Sequence, residues 1–359
     1  ETRGGFFFMK YWYNRFHRDA GYGYRLCHKG DFWSPTLCDA VERAVTGAFQ
    51  NSRIEIRLGQ TVQQSGWVTA GGRRYYMICN IVKEADKESG ARNIYTADFF
   101  LVELEKKEEP LFFSNYRYIF TPFYDLARNG REYEQKKDPA VFLPQEPTPF
   151  DQDSLPLGLV KKFVPDTGLN DRIIDVVSWW SARKNRVLAL NFHGFDGVLE
   201  TVRNLYHMLP LYARKRFGFI TYAPDPQERL RCAPGCSILC IQQKDKDHMG
   251  ETNPLPGSGE IDFCGGTYTS GKIEDRYYTY IFRKLVKTDG MDQFNRFLLQ
   301  NQDALLPLIE SEDILAKEAL FALYAVEQPV PYLQPDLRER QQITEYLRKQ
   351  GDFPYRGGW

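Results

Sequence analysis

The stretch GWVTAGGRRYYMICNIV, residues 66–82, decides the fold class of this chain. Two runs rich in β-branched and aromatic residues flank a turn that contains Gly71 and Gly72, which is the pattern of a β-hairpin. Downstream, the turn-rich DKESGAR leads into NIYTADFFLVELE, which reads as another strand. Upstream, residues 6–29 alternate aromatic and polar side chains around GYGYRLCHKG and predict two short strands joined by a Gly-rich turn. Between these lies SPTLCDAVERAVTGAF. Ser34 suits an N-cap, Pro35 suits the first helical position, and Leu37, Val41 and Ala44 recur at helical spacing until Gly47. Residues 1–128 are therefore expected to form a β-rich α+β domain.

The texture then changes twice. Residues 129–158 are dense in proline and charge and read as a linker or long surface connection. From 159 to 272, helical patterns in DRIIDVVSWWSARKN and GVLETVRNLYHMLPLYARKR precede strand-like FGFITYAP and CSILCIQQ, which predicts a smaller α/β middle domain. Residues 273–359 are helical in pattern. The fold class expected is α+β, with more than one core in 359 residues.

Lysine plus arginine equals aspartate plus glutamate at 47 each, so no net field draws the chain onto nucleic acid or an anionic membrane. Seven cysteines show no disulfide framework, and no run of about 18 apolar residues or signal-peptide pattern appears. The expectation is a cytoplasmic protein with reduced cysteines and no membrane partner.

Four features could carry chemistry. In RCAPGCSILC, Cys232, Cys236 and Cys240 stand four apart, and Cys232 and Cys236 with His248 and Cys264 would make four metal ligands. The gaps lack the tight C-x-x-C turns of strong zinc motifs, and Cys240 sits in an apolar run where a thiol is an ordinary small hydrophobe. In GGTYTSGKI, Gly266, Gly271 and Lys272 have the spacing of a phosphate loop, but Ile273 stands where a magnesium-binding hydroxyl belongs. The histidines at 17, 28, 193, 207 and 248 are scattered. His193 has no nucleophile elbow to serve, and Cys27 and His28, if adjacent in a strand, point to opposite faces. Last, KYWYNRFHRDAGYGYR interleaves Tyr11, Trp12, Tyr13, Tyr22 and Tyr24 with Arg15, a composition shared by half-buried strands, protein interfaces and single-strand platforms.

Two stretches carry a resemblance. YWYNRFHRDAGYGYRLCHKGDFWSPTLCDAVERAV, followed by YYMICNIVKEADKESGARNIYTADFFLVELE, is similar to the N-terminal domain of the GTPase-associated adaptor proteins of prokaryotic conflict systems. There, a Gly-centred strand pair and a helix precede a strand, a turn with Asp and Gly-x-Arg, and a strand opening on Asn. Asp86, Gly90, Arg92 and Asn93 occupy those turn positions here, whereas Ala97 or Asp98 stands where the family usually has a histidine. LYHMLPLYARKRFGFITYAPDPQERLRCAPGCSILC resembles the family's middle domain through Leu209, Pro210, Arg216, Phe219, Thr221 and Tyr222. The resemblance implies a non-enzymatic adaptor that partners a GTPase or other NTPase in antiphage defence and couples recognition to an effector. It implies no catalytic residue and no cofactor, and direct nucleic-acid contact is not expected. Two other readings stay open: a hydrolase or nucleotide-binding enzyme built from the 257–272 loop and the Cys/His group, and a single-stranded nucleic-acid sensor.

Overall fold

The computed structural model describes residues 9–19, 23–46, 58–85, 93–136, 140–142, 169–183, 186–223, 230, 235–242, 259–263, 268–269, 276–327 and 333–349. The protein is mixed α/β. It divides into two compact units, the first comprising residues 1–149, 189–203 and 216–256, and the second residues 150–188, 204–215 and 257–359.

The first unit is built on a large mixed sheet. Strands β1 (Lys10–Asp19) and β2 (Gly23–Leu26) precede helix α1 (Pro35–Thr46). The Ser34 hydroxyl accepts from the Leu37 N–H at 3.3 Å, so the expected cap closes the first turn. β3 (Thr61–Ala70) and β4 (Arg73–Ala85) form the long hairpin, with Gly71 and Gly72 at φ of 57° and 78°, the left-handed pair that a tight two-residue turn needs. β5 (Asn93–Glu103) follows, then α2 (Glu109–Ser114), α3 (Arg117–Glu134) and β6 (Ala140–Phe142). Residues 129–134 of the proline- and charge-rich stretch are thus the end of α3. Later come β7 (Leu188–Phe192), α5 (Val198–Met208), β8 (Phe219–Ile220) and β9 (Ile238–Gln242), after α4 (Leu169–Ser181) of the second unit. The strand order is β7-β9-β8-β3-β4-β5-β1, with β2 and β6 both paired to β1, and all the registered pairs are antiparallel except β8–β9.

Side-chain alternation sorts this sheet into two faces. Gln64, Cys79, Phe99 and Asn14 stand in register on one face, where Gln64 donates to the Ala44 carbonyl of α1 and Phe99 meets Trp33 edge-on. Asn80, Asp98 and Arg15 stand on the other, where Asn80 donates to the Phe123 carbonyl of α3 at 2.8 Å. Helix α1 therefore packs on one face at β3, and α3 on the opposite face across β1, β4 and β5.

β8 joins this sheet through β3, and glycine makes the joint possible. The backbones at Gly66, Gly218 and Gly235 approach so closely that a Cβ on Gly218 would collide with the Gly235 carbonyl oxygen and lie 3.0 Å from the Gly66 Cα. Thr221 Oγ1 accepts from the Gln63 N–H at 2.9 Å, a bond between residues 158 apart in sequence.

The second unit is mainly helical. It holds α4, α6 (Leu211–Arg214), β10 (Gly259–Asp262), β11 (Tyr268–Thr269), α7 (Tyr277–Lys287), α8 (Met291–Gln300), α9 (Gln302–Glu310), α10 (Ile314–Glu327) and α11 (Leu337–Lys349). Several of its core polar groups are paired. The Tyr278 hydroxyl meets those of Ser181 and Tyr212 at 2.8 Å each, and Lys317 donates to the Leu308 and Ile309 carbonyls at 2.9 and 2.7 Å, closing the C-terminal end of α9. Among the described residues, no helix is long and apolar enough to cross a membrane.

Gly218→Ala is expected to lower unfolding stability by about 1–3 kcal/mol, the usual penalty for forcing a methyl group into a filled space. Urea denaturation reads this directly. An unchanged midpoint would mean that the β3–β8 joint is looser than described.

Candidate functional site

The register of three strands gathers a polar cluster beneath α3. β1 and β5 pair Tyr13 with Phe100, Arg15 with Asp98 and Phe16 with Ala97. β1 and β2 pair His17 with Arg25 and Phe16 with Leu26, and just past the end of β2 the Cys27 N–H donates to the Arg15 carbonyl at 3.0 Å. The period of two then sets Tyr13, Arg15, His17, Asp98 and Cys27 on the α3 face. Asn14, on the opposite face, fixes the end of β2. Its Oδ1 accepts from the His28 N–H at 3.0 Å and its Nδ2 donates to the His28 carbonyl at 3.1 Å. Helix α3 lies directly over the cluster, because a Cβ on Gly130 would stand 3.2 Å from the Asp98 Cγ. Its last residue is Glu134.

Arg15 is the hub. Nε and Nη2 donate to Asp98 Oδ1 and Oδ2 at 2.7 and 2.8 Å, a bidentate pair, and Nη1 donates to Glu134 Oε2 at 2.6 Å. The Tyr13 hydroxyl donates to Asp98 Oδ1 at 2.6 Å. The Arg15 and Asp98 side chains are only 15% and 16% exposed, and that of Glu134 is 35% exposed. Burial works against the charge of Arg15, but the hydrogen bond and attraction of Asp98 outweigh it and hold the guanidinium above its ordinary value. Burial, then the negative charge of Asp98, raise the Tyr13 phenol strongly. Burial also pushes the Cys27 thiol up to about 11, with Glu134 adding to the shift.

At the edge of this ion-pair network, His17, Cys27 and Glu134 each bring one potential ligand atom within 4.8 Å of the others. The His17 Nδ1 is buried without a hydrogen-bond partner, and the Cys27 Sγ lies 3.3 Å from the Arg15 carbonyl, to which it donates. A nitrogen, a sulfur and an oxygen donor this close together make a set that can hold a cation.

The aromatic stretch, whose composition fits core strands, protein interfaces and single-strand platforms alike, divides between the two faces of β1. Tyr11 and Tyr13 are 0% exposed, and the Tyr11 hydroxyl donates to the Tyr118 carbonyl of α3 at 3.0 Å, so these two are core residues held between sheet and helix. Arg15 is committed to its carboxylates. Trp12, on the other face, stays half-buried, stacked on Phe32 at 4.1 Å with the Lys10 ammonium 3.9 Å from its ring. Tyr22 and the side chain of Tyr24 lie outside the described residues, as do Cys232, His248, Cys264, Gly266, Gly271 and Lys272. Cys236 is buried with its Sγ 3.7 Å from the Ser65 carbonyl, and Cys240 is buried within β9. No protein-family model matches the chain, and no curated protein matches it significantly.

Asp98→Ala is expected to cost about 3–5 kcal/mol of stability, because it removes two of the bonds of a buried guanidinium, leaving it Glu134, and the acceptor of a buried phenol. Arg15→Ala with Asp98→Ala should lose less than the sum of the single losses, with a coupling of about 0.5–3 kcal/mol in urea denaturation. Strict additivity would show that the pair is not coupled. pH gives a second test. Tyr13 and Tyr133 are raised above the ordinary tyrosine value of 10.0, so above that pH the unfolded chain releases protons that the folded one keeps. Their contribution is fully present below pH 10 and is lost as pH rises beyond it. The urea midpoint should therefore fall on the alkaline side, and less so in Tyr13→Phe.

Proposed function

We propose that this chain is a non-enzymatic adaptor subunit of an NTPase-containing bacterial antiphage defence complex, acting in the cytoplasm and coupling recognition to an effector. On this reading a β-rich N-terminal domain and a smaller α/β middle domain are followed by a helical C-terminal region that docks on partner subunits. The observation that carries the proposal is the order of elements around the residues of the family resemblance. The strand pair β1–β2 and helix α1 precede the β3–β4 hairpin, and β5 opens at Asn93. Further on, α5 runs to Met208, Leu209 and Pro210 follow, and Arg216 leads into β8 at Phe219 with Thr221 and Tyr222 just beyond. Asp86, Gly90 and Arg92 lie outside the described residues. Where the family usually carries a histidine this chain has Ala97 or Asp98, of which Ala97 is buried and Asp98 pairs with Arg15. Either residue suits a structural role for this place in the sheet.

Affinity purification of the tagged chain from its native operon, with mass spectrometry of what co-purifies, tests the proposal. A GTPase or other NTPase is expected in near-stoichiometric amount. A chain recovered alone, carrying bound nucleotide, would overturn the reading in favour of an enzyme or nucleotide-binding protein.

A further inference from the structure

We propose that His17, Cys27 and Glu134 form a binding site for a zinc-class divalent cation, with a fourth coordination position left open. Three independent features of the cluster converge on this assignment. The first is the donor set. An imidazole nitrogen, a cysteine sulfur and a carboxylate oxygen together favour a borderline-soft ion such as zinc over magnesium or calcium, which take oxygen ligands. The second is the vacancy in the hydrogen bonding. The His17 Nδ1 is a buried, unsatisfied polar atom on an imidazole that brings a ring nitrogen within 4.8 Å of a cysteine sulfur and a carboxylate oxygen. The third is proximity, since the three potential ligand atoms, from β1, the end of β2 and the end of α3, already lie within 4.8 Å of one another.

The geometry needs little adjustment. Ligand–zinc distances of about 2.0–2.3 Å put tetrahedral ligand atoms about 3.3–3.8 Å apart. The three atoms here already lie within 4.8 Å of one another, so rotation about side-chain bonds is enough to close the set. Glu134 can ligate through Oε1 while its Oε2 keeps the bond from Arg15 Nη1, which makes Arg15 a positioning residue for the carboxylate. As the ion binds, the Cys27 thiol loses its proton to solvent and gives up its bond to the Arg15 carbonyl. The 35% exposure of the Glu134 side chain leaves a route in from the surface. Three protein ligands and one open position are the arrangement of a site that can accept a water or a partner's side chain.

Cobalt(II) alone, added to chelator-treated protein, is the probe. The expected result is a thiolate-to-cobalt charge-transfer band with tetrahedral d–d absorption, saturating near one ion per chain and displaced by zinc. Cys27→Ser should abolish the charge-transfer band, and His17→Ala should weaken cobalt binding by at least about tenfold. Should Cys27→Ser fail to fold, Glu134→Gln decides, because its amide oxygen still accepts from Arg15 while its affinity for cobalt should fall by a similar factor. Zinc should also raise the unfolding temperature of the unmodified chain and leave that of Glu134→Gln nearly unchanged. Absence of the band, or its loss in Cys236→Ser with retention in Cys27→Ser, would overturn the assignment.

Discussion

The bidentate pairing of Arg15 with Asp98 constrains the first unit more tightly than any other single contact. The two residues face each other across neighbouring strands, and the pair is stable only because both charges meet under α3 with Tyr13 and Glu134 completing their hydrogen bonds. A slip of one residue between β1 and β5 would turn Asp98 away from Arg15, Tyr13 and Glu134 and onto the face against which Trp33 packs. The same slip would carry Phe100 to that face and separate it from Tyr13 and Tyr133, whose rings it meets at 6.1 and 5.7 Å. The apolar pattern sets which face is buried, and the ion pair sets which residue stands opposite which.

Much of the framework could be read along the chain. The Gly71–Gly72 turn, the Ser34 cap and the helical spacing after Pro35 are local signals whose physics is complete within a few residues. The helices at 277–287, 291–300, 314–327 and 337–349 were equally legible, the first two from an apolar stripe and that at 314–327 from a run of helix-forming apolar residues that is buried on every side. Helix α3 was harder. Pro122 lies inside it, and its last turns fall in a stretch whose charge and proline content suggest a connection. α9, with Pro307 inside, lies within the stretch 273–359 whose pattern is helical, although its own bounds are not marked by a clear apolar spacing.

The site itself was not legible. Arg15 stands 83 residues from Asp98 and 119 from Glu134, so no spacing rule links them. His17 looked like one of several scattered histidines, and Cys27 invited comparison with its neighbour His28 rather than with the residue across the hairpin. The one available clue was alternation: Tyr13, Arg15 and His17 share a face whether that face is core or surface. Composition favoured neither outcome for the aromatic stretch. It took the packing of α3 on one face to bury Tyr11 and Tyr13, while Trp12 on the other face stays half-buried against Phe32.

The joint between β3 and β8 bears on how the chain comes to be folded. β3 obtains its second neighbour only from residues 158 positions later, so while the chain is being synthesised its hairpin carries an open, hydrogen-bonding edge. Contacts of such long range form late and slowly. The close approach of Gly66, Gly218 and Gly235 adds a demand that the incoming strand seat itself backbone against backbone, without side chains to guide it. A nascent chain of this kind is exposed to strand pairing with its neighbours on a polysome until β8 arrives, which makes the pace of its synthesis, and any chaperone that shields β3, part of what determines how much native protein a cell obtains.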